Sequence, residues 1–302
     1  MTLIETRLED SDPIHIICAA DARYGAYAGI MISSVLAQNQ SDRIRCHLLD
    51  DGVQSKDLHR MARMARRAGA TFDVYDIQQK LDRFPDVLKR MAHYSRTTFG
   101  RLFIPEFVPN SIDRIIYFDC DVICLSNLRE LWDFGARVKT LAAVRDEWVD
   151  QDAAHKLSIG MPIDAKYYNG GVLVFNLAEW KKRNLSVQLL DHLCSTPRTL
   201  YADQDAMNAL IWREITELPA KWNVLISSPK PGEVQQNLSS AANIHFCGGF
   251  KPWHVGYASS GGPSSSTFRR AKAASPWRWK PPDFHLGRVK RKMTDFLAAR
   301  FG

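Results

Sequence analysis

The sequence has none of the features that would place it across a membrane or tie it together with disulfides. No run of about 18 apolar residues occurs in it, so no membrane-spanning helix is predicted. The acidic N-terminus does not show the basic-then-apolar order of a secretory signal, and a cytoplasmic location is the resulting expectation. The six cysteines form no Cys-x-x-Cys pair, which favours buried thiols over a zinc site or a disulfide framework.

Two common nucleotide-binding signatures are also missing. No Gly-x-Gly-x-x-Gly follows the first apolar segment, which argues against a dinucleotide-binding fold. No Gly-x-x-x-x-Gly-Lys-Ser/Thr exists either, which argues against a P-loop. An apolar content of 45% and a charged content of 24% are ordinary for a globular protein with a full core.

Apolar segments alternate with helical patterns along the chain. Predicted strands cover 15–20, 44–49, 71–77, 115–118 and 141–144, and predicted helices cover 27–38 and 56–69. Strands that alternate with helices favour an α/β fold, in which helices flank a mostly parallel sheet. Ligands of such sheets lie beyond the carboxyl ends of the strands, where we expect Asp21, Asp119 and Asp121.

The most informative short motif is Asp119-Cys120-Asp121, directly after the apolar run 115–118. In an extended chain, two carboxylates one residue apart point to the same side. Such a pair repels itself and loses solvation, so it usually holds a cation, and oxygen ligands suit Mg²⁺ or Mn²⁺. The alternative is a solvated acidic turn, since Asp-x-Asp is frequent by chance.

Further short segments occur in order along the chain. With the Asp-x-Asp motif they are Ala19-Ala20-Asp21-Ala22-Arg23-Tyr24, Thr97-Thr98-Phe99-Gly100-Arg101-Leu102, Tyr168-Asn169-Gly170-Gly171-Val172, Ala202-Asp203-Gln204-Asp205 and His245-Phe246-Cys247-Gly248-Gly249-Phe250-Lys251-Pro252-Trp253. Together they resemble glycosyltransferase family 8, most closely the bacterial galactosyltransferases that extend lipooligosaccharide and lipopolysaccharide. The resemblance covers roughly residues 14–255 and implies the GT-A fold, a single Rossmann-like sheet flanked by helices.

The resemblance implies a metal site that bridges the diphosphate of a UDP-sugar. Its ligands would be Asp119, Asp121 and His245, and the ion would be Mn²⁺, with Mg²⁺ as the second possibility. A divalent cation neutralises the charge that develops on the departing UDP, and an imidazole ligand favours Mn²⁺. For His245 the alternative is a core histidine on a strand.

The resemblance also implies a set of donor-binding residues. They are Asp21, Arg23, Tyr24, Thr98, Arg101, Asp119, Cys120, Asp146, Asn169, Gly248 and Lys251. Asp21 is expected to accept from the uracil or ribose and Tyr24 to stack on uracil, whereas Arg23 stands where the family usually has Asn. Gly248 is expected to let backbone N–H groups approach the diphosphate, and Lys251 to contact its oxygens.

The segment Asp203-Gln204-Asp205 matches the one beneath the transferred sugar and supplies the catalytic candidates. The family retains anomeric configuration, which in hydrolases requires two flanking carboxylates, and no such pair is evident here. Front-face attack is favoured, with the Gln204 amide oxygen stabilising an oxocarbenium-like transition state. Covalent catalysis by Asp203 or Asp205 stays open, and Asp203 is also predicted to cap the following helix.

The positive charge is concentrated at the C-terminus. Residues 268–302 hold ten Lys or Arg and two Asp, a net charge of +8, and the remaining chain holds 30 basic and 31 acidic residues, a net charge of −1. A flexible Ser/Gly-rich loop, 259–267, is predicted to join the catalytic domain, 1–258, to this tail. With Trp277, Trp279 and an amphipathic segment at 288–297, the tail is predicted to bind an anionic membrane surface. A charged helix that packs on the body is the alternative, and nucleic acid is not an expected partner.

These observations lead to one functional hypothesis and two alternatives. The chain is expected to be a retaining transferase that uses UDP-galactose or UDP-glucose and elongates a bacterial surface glycolipid at the inner face of the cytoplasmic membrane. One alternative is a family-8 transferase with a protein or polysaccharide acceptor. The other is a catalytically silent protein that binds nucleotide sugars, for which Arg23 is the only sequence indication.

Overall fold

The computed structural model of the chain describes residues 12–85, 95–196, 199–227, 238–257 and 263–284. Its strands are β1 Ile14–Asp21, β2 Ile44–Asp51, β3 Thr71–Asp76, β4 Arg114–Phe118, β5 Val122–Cys124, β6 Leu141–Arg145, β7 Tyr168–Asn176, β8 Ile215–Glu217, β9 Val224–Leu225 and β10 Asn243–His245. Its α-helices are α1 Gly25–Gln38, α2 Ser55–Arg67, α3 Gln78–Asp82, α4 Ile104–Phe107, α5 Arg129–Gly135, α6 Glu147–Asp150, α7 Ala153–Ser158, α8 Leu177–Lys182, α9 Leu185–Ser195, α10 Asp203–Ile211 and α11 Pro263–Ala274. The 3₁₀-helices are Arg96–Phe103, Trp212–Glu214, Ala220–Asn223 and Leu238–Ser240.

Seven strands form one large sheet in the order β3-β2-β1-β4-β7-β6-β8. The first four are parallel, β8 is parallel to β6, and β7 runs antiparallel to both of its neighbours. The prediction of a mostly parallel sheet with flanking helices is confirmed. All five predicted strands and both predicted helices form, with ends within two residues of the predicted ones.

Apolar side chains cover both faces of this sheet, because successive residues of a strand point to opposite faces. In β1, Ile16 and Cys18 belong to the core on the side of α1 and α2. Ile17 and Ala19 belong to the core on the other side, which α8, α9 and α10 cover. Burial on both faces explains why this strand reads as a continuous apolar run.

A second sheet of three strands, in the order β5-β10-β9, was not predicted. Strand β10 is antiparallel to β5 and parallel to β9, and its last residue, His245, pairs with Val122. Val122 directly follows Asp121, so this sheet brings His245 to the Asp-x-Asp motif from a distant part of the chain.

The segment after Tyr257 differs from the predicted loop and tail. Helix α11 includes the described part of the predicted flexible loop, and its Ser264 and Ser265 are buried. The Trp277 side chain, 2% exposed, packs over Gly29 of α1, and its Nε1–H donates to Asp57 Oδ1 at 2.8 Å. The predicted loop over 263–267 and the interfacial position of Trp277 are therefore wrong, because these residues bury apolar surface against the body.

The structure describes only part of the predicted membrane-binding tail. Residues 285–302, which include the predicted amphipathic segment 288–297, lie outside the described residues. In the part of the chain that the structure describes, no helix combines the length and the apolar composition needed to cross a bilayer.

Candidate active site

A cavity of about 710 Å³ opens at one edge of the large sheet. Strands β1, β4 and β6 end at this edge and the antiparallel β7 begins there, so their terminal residues converge. Every predicted donor-binding residue and metal ligand lines the cavity, and Gln204 lines it as well. The predicted catalytic residues Asp203 and Asp205 do not, because their side chains are fully buried.

Asp119, Asp121 and His245 meet in this cavity. His245 Nε2 lies 3.3 Å from Asp121 Oδ1 and 3.8 Å from Asp119 Oδ2. One ligand atom from each residue lies within 4.8 Å of the others, the arrangement expected around a single ion. Two carboxylates and an imidazole form a donor set that suits a divalent cation such as Mn²⁺.

The two carboxylates converge through a turn and not through an extended strand. The Val122 N–H donates to the Asp119 carbonyl at 3.2 Å, so the chain bends directly after β4. The Cys120 thiol between them points inward and donates to the Ala19 carbonyl at 3.1 Å. The extended geometry, which was the condition for the two side chains to share one side, is not found; the turn brings the two carboxylates together instead.

Lys251 compensates the charge of one of these carboxylates. Its Nζ donates to Asp121 Oδ2 at 2.6 Å and to the Phe246 carbonyl at 2.8 Å. Burial by itself would raise the pKa of Asp121, but Lys251 and His245 outweigh it and hold that pKa well below its ordinary value. Lys251, predicted to contact phosphate, thus contacts a candidate metal ligand.

Arg101 compensates the charge of the other carboxylate from beneath the cavity. Its guanidinium lies 3.4 Å from Asp119 Oδ1 and 2.7 Å from Asp203 Oδ2, and it also donates to the Gly170 carbonyl. Burial opposes the charge of Arg101, but Asp119 and Asp203 more than offset it, so its pKa is raised. Arg101 is therefore a buried, permanently charged link between the Asp-x-Asp motif and α10.

Protein contacts orient the side chain of Gln204. Its Oε1 accepts from the Gly170 N–H at 2.8 Å, and its Nε2 donates to the Tyr167 hydroxyl at 3.3 Å. The Tyr167 hydroxyl donates to Asp205 Oδ1 at 2.5 Å, and His155 Nε2 lies 2.8 Å from the same oxygen. Asp205 thus serves as a buried acceptor behind Gln204.

Asp203 is the first residue of α10 and lies below the cavity. Ala202, with φ at +49°, holds the N-cap position, so the predicted capping role of Asp203 is wrong. Full burial raises the pKa of Asp203 to about 7, against the opposing effect of Arg101. The structure places this carboxyl in an ion pair with Arg101, away from the cavity surface.

Asp21 organises the turn between β1 and α1. Its Oδ1 accepts the backbone N–H groups of Arg23 and Tyr24 at 2.8 and 3.0 Å, and its Oδ2 accepts the Ser95 hydroxyl at 2.9 Å. Burial would raise the pKa of Asp21, but the bonds from Ser95 and Tyr24 lower it overall. Arg23 braces the same carboxylate at 3.1 Å from the solvent side, where its own side chain is largely exposed.

Gly248 has a packing role that the sequence interpretation did not include. Its N–H donates to the Ile226 carbonyl at 3.3 Å, so this N–H already has a protein partner. A Cβ at this position would come within 2.0 Å of the Ser227 carbonyl oxygen. Close approach of two backbone segments therefore explains the glycine.

The sequence interpretation missed several residues of the site. Trp148, 75% exposed, and Tyr201 both line the cavity. Local signals existed for them, since Trp148 stands two residues after Asp146 and Tyr201 precedes the segment 202–205. Asn223, which accepts from His245 Nδ1 at 3.1 Å, had no such signal, because its partner lies far away in sequence.

The chain is similar to known proteins in sequence and in fold. The family described as "Glycosyl transferase family 8" matches residues 15–256. The lipopolysaccharide 1,3-galactosyltransferase of Salmonella typhimurium is 26% identical over 277 residues, 89% of this chain and 80% of the relative. The lipopolysaccharide 1,2-glucosyltransferase of Escherichia coli K12 is 27% identical over 285 residues, 91% of this chain and 82% of the relative. The crystal structure of galactosyltransferase LgtC with donor and acceptor sugar analogs aligns with a TM-score of 0.72 and 26% identity, over 87% of this chain and 96% of that chain.

Proposed function

The chain belongs to glycosyltransferase family 8, and from this premise we infer that it is a retaining hexosyltransferase that uses a UDP-sugar and acts on a lipopolysaccharide or lipooligosaccharide. The observation that carries the proposal is the convergence of Asp119, Asp121 and His245 in the cavity at the sheet edge. Relatives named as galactosyl- and glucosyltransferases support a hexose donor, so UDP-galactose and UDP-glucose are both candidates.

The three residues fit a divalent cation, and we propose that they hold Mn²⁺. Two carboxylates supply hard oxygen ligands, and the imidazole of His245 favours Mn²⁺ over Mg²⁺. When bound, such an ion neutralises the charge that develops on a departing diphosphate. Lys251, whose ammonium already lies in the cavity, is positioned to share that charge.

Of the three catalytic candidates, we propose that only Gln204 contacts the substrate. Its side chain lines the cavity, and its amide is oriented by Gly170 and Tyr167. Asp203 and Asp205 are fully buried and paired with protein groups, which disfavours either carboxylate as a covalent nucleophile. This supports front-face attack, in which the departing UDP oxygen takes the acceptor's proton.

The acceptor is proposed to enter beside Trp148 and Tyr201. Both aromatic side chains line the same cavity as Asp146, and Trp148 is largely exposed. Aromatic rings present apolar faces with little conformational freedom, which suits the flat face of a sugar ring.

We further propose that the enzyme docks on an anionic membrane surface. In the described C-terminal segment, Trp279 and Phe284 are exposed and line a second cavity together with Lys56 and Arg60. A row of basic side chains runs from there along one side of α2, at Lys56, Arg60, Arg63 and Arg67. Each basic residue near such a surface contributes about 1 kcal/mol.

The transferase proposal is tested with purified protein, both UDP-hexoses, Mn²⁺ and a lipopolysaccharide acceptor. We expect hexose transfer that is lost in excess chelator and in Asp121→Ala, whereas Asp164→Ala, an exposed control, retains it. Transfer that persists in excess chelator would contradict the metal site. Tight UDP-sugar binding without UDP release would favour the silent binding protein, and transfer only to a protein or polysaccharide would favour the other alternative.

The membrane proposal is tested by co-sedimentation with vesicles of phosphatidylcholine, with and without phosphatidylglycerol. Trp279→Ala/Phe284→Ala should release the protein from the anionic vesicles, and Trp148→Ala, an exposed tryptophan at the other cavity, should not. Equal sedimentation of all variants would contradict the assigned surface.

A further inference from the structure

A chain of buried hydrogen bonds runs from the candidate metal ligand to the candidate sugar-binding residues. His245 Nδ1 lies 3.1 Å from Asn223 Oδ1, and Asn223 Nδ2 donates to Asn169 Oδ1 at 2.8 Å. Asn169 Nδ2 then donates to Asp146 Oδ2 at 2.9 Å. All four side chains are buried, and Asn223 is fully so. In this chain Asn223 is the junction between the two halves of the site.

The fold places Asn223 there through long-range strand pairing. Asn223 ends a 3₁₀-helix directly before β9, and β9 pairs with β10, whose last residue is His245. The Asn223 side chain, from the residue directly before β9, therefore reaches Nδ1 of His245, whereas Nε2 of the same ring faces Asp119 and Asp121.

The hydrogen-bond partners fix the direction of every amide in the chain. Asn169 Oδ1 accepts the Gly171 N–H at 2.8 Å, so this atom is an acceptor and the group of Asn223 that faces it must be the Nδ2 donor. The Asn223 oxygen consequently faces His245, and an acceptor at Nδ1 requires the proton on that nitrogen. In the neutral ring that a metal requires, the lone pair is then on Nε2, which faces the two carboxylates.

We propose that Asn223 is a positioning residue for both halves of the active site. Toward the metal, it holds His245 in the tautomer whose free Nε2 can coordinate an ion. Toward the donor, it holds the Asn169 amide in the orientation that places its nitrogen on Asp146. The inference rests on the proposed function, since it assigns its effect to Mn²⁺ and the UDP-sugar.

A purely structural role is the competing explanation, because any fully buried amide needs hydrogen-bond partners. Asn243 provides a matched control. It is also fully buried, lies on β10, and donates to the Trp222 carbonyl at 2.9 Å, with no bond to His245 or Asn169 among the described contacts. A structural role predicts similar effects of substitution at both positions.

The first test measures Mn²⁺ affinity in the presence of UDP, by electron paramagnetic resonance of the free ion. Asn223→Ala should weaken binding by about 10–100-fold, the usual effect of removing a group that orients a metal ligand. Asn243→Ala should leave the affinity within about threefold while lowering the urea midpoint to a similar degree. Unchanged affinity in Asn223→Ala, or equal weakening in both variants, would overturn the inference, whereas a wild-type protein that binds no Mn²⁺ would overturn the proposed metal site as well.

The second test separates the two halves of the site with Asn223→Asp, which preserves the side-chain size. At pH 8 its carboxylate still accepts from His245 Nδ1–H, so Mn²⁺ affinity should stay near the wild-type value. It cannot donate to Asn169, so kcat/KM for the UDP-sugar should fall about tenfold. An unchanged kcat/KM, or a loss of Mn²⁺ affinity as large as in Asn223→Ala, would overturn the assignment.

A third measurement needs neither metal nor activity. Nitrogen-15 spectra of histidine-labelled protein, with His245 assigned by comparison with His245→Gln, report which ring nitrogen carries the proton. We expect the proton on Nδ1 in the wild type and a shift of the tautomer population in Asn223→Ala. A wild-type ring that carries no proton on Nδ1 would overturn the inference.

Discussion

Replacing Gly29 by alanine sets two opposing effects against each other in helix α1. Gly29 lies in the interior of this helix, where alanine normally stabilises by about 1 kcal/mol. A Cβ here would lie 2.1 Å from Trp277 Cη2 and 2.5 Å from two further ring carbons, whereas ordinary contact begins at 3.4 Å. The indole is anchored by its bond to Asp57, so the ring cannot retreat freely.

Overpacking usually costs about 1–3 kcal/mol, and so close a contact should cost about 3 kcal/mol. After the helix gain of about 1 kcal/mol, the free energy of unfolding should fall by about 2 kcal/mol. Urea denaturation measures this change, and the sign of the change in the free energy of unfolding shows which of the two effects is larger. In a Trp277→Ala background the clash is gone, and Gly29→Ala should stabilise by about 1 kcal/mol. If Gly29→Ala stabilises the wild-type protein, then the C-terminal segment does not pack on α1 as described.

Three further predictions concern the site and the core. Gly171→Ala places a Cβ 2.2 Å from His245 Cε1, so it should abolish Mn²⁺ binding while the protein stays folded, and retained binding would contradict the described ring position. Gln204→Ala should lower kcat at least tenfold with little change in the donor's KM, whereas a pure KM effect would contradict a transition-state role. Burial is the main reason why the pKa values of His15 and His47 are lowered from 6.5 to about 4. Between pH 6.5 and 4, therefore, only the unfolded chain takes up these two protons. The free energy of unfolding should therefore decrease from pH 6.5 to 4, and less steeply in His15→Leu/His47→Leu; an equally steep decrease would contradict the shifts.

Five strands of the large sheet could be predicted because their signals are local, whereas β7 and β8 were not predicted. An uninterrupted apolar run such as 115–118 marks a strand buried on both faces, and helical periodicity marks α2. The three-residue strands β5 and β10 carry no comparable signal, since so short a run is stabilised by its partner and not by its own composition. The packing of Trp277 on Gly29 depends in the same way on a residue far away in sequence.

The sequence by itself determined which chemical groups stand at the ends of the strands. Residues such as Asp21, Asp119 and Asp146 follow apolar runs directly, and the ends of parallel strands necessarily share one edge of a sheet. That local rule is why Asp21, Asp119 and Asp146 line one cavity.

Only the tertiary structure decided what each of these groups faces. The pairing of β10 with β5 brings His245 to the carboxylates and sets Asn223 behind it, and the packing of α10 buries Asp203 and Asp205 while leaving Gln204 on the cavity. Side-chain partners and burial depend on contacts between segments remote in sequence, so the residue types alone do not encode them.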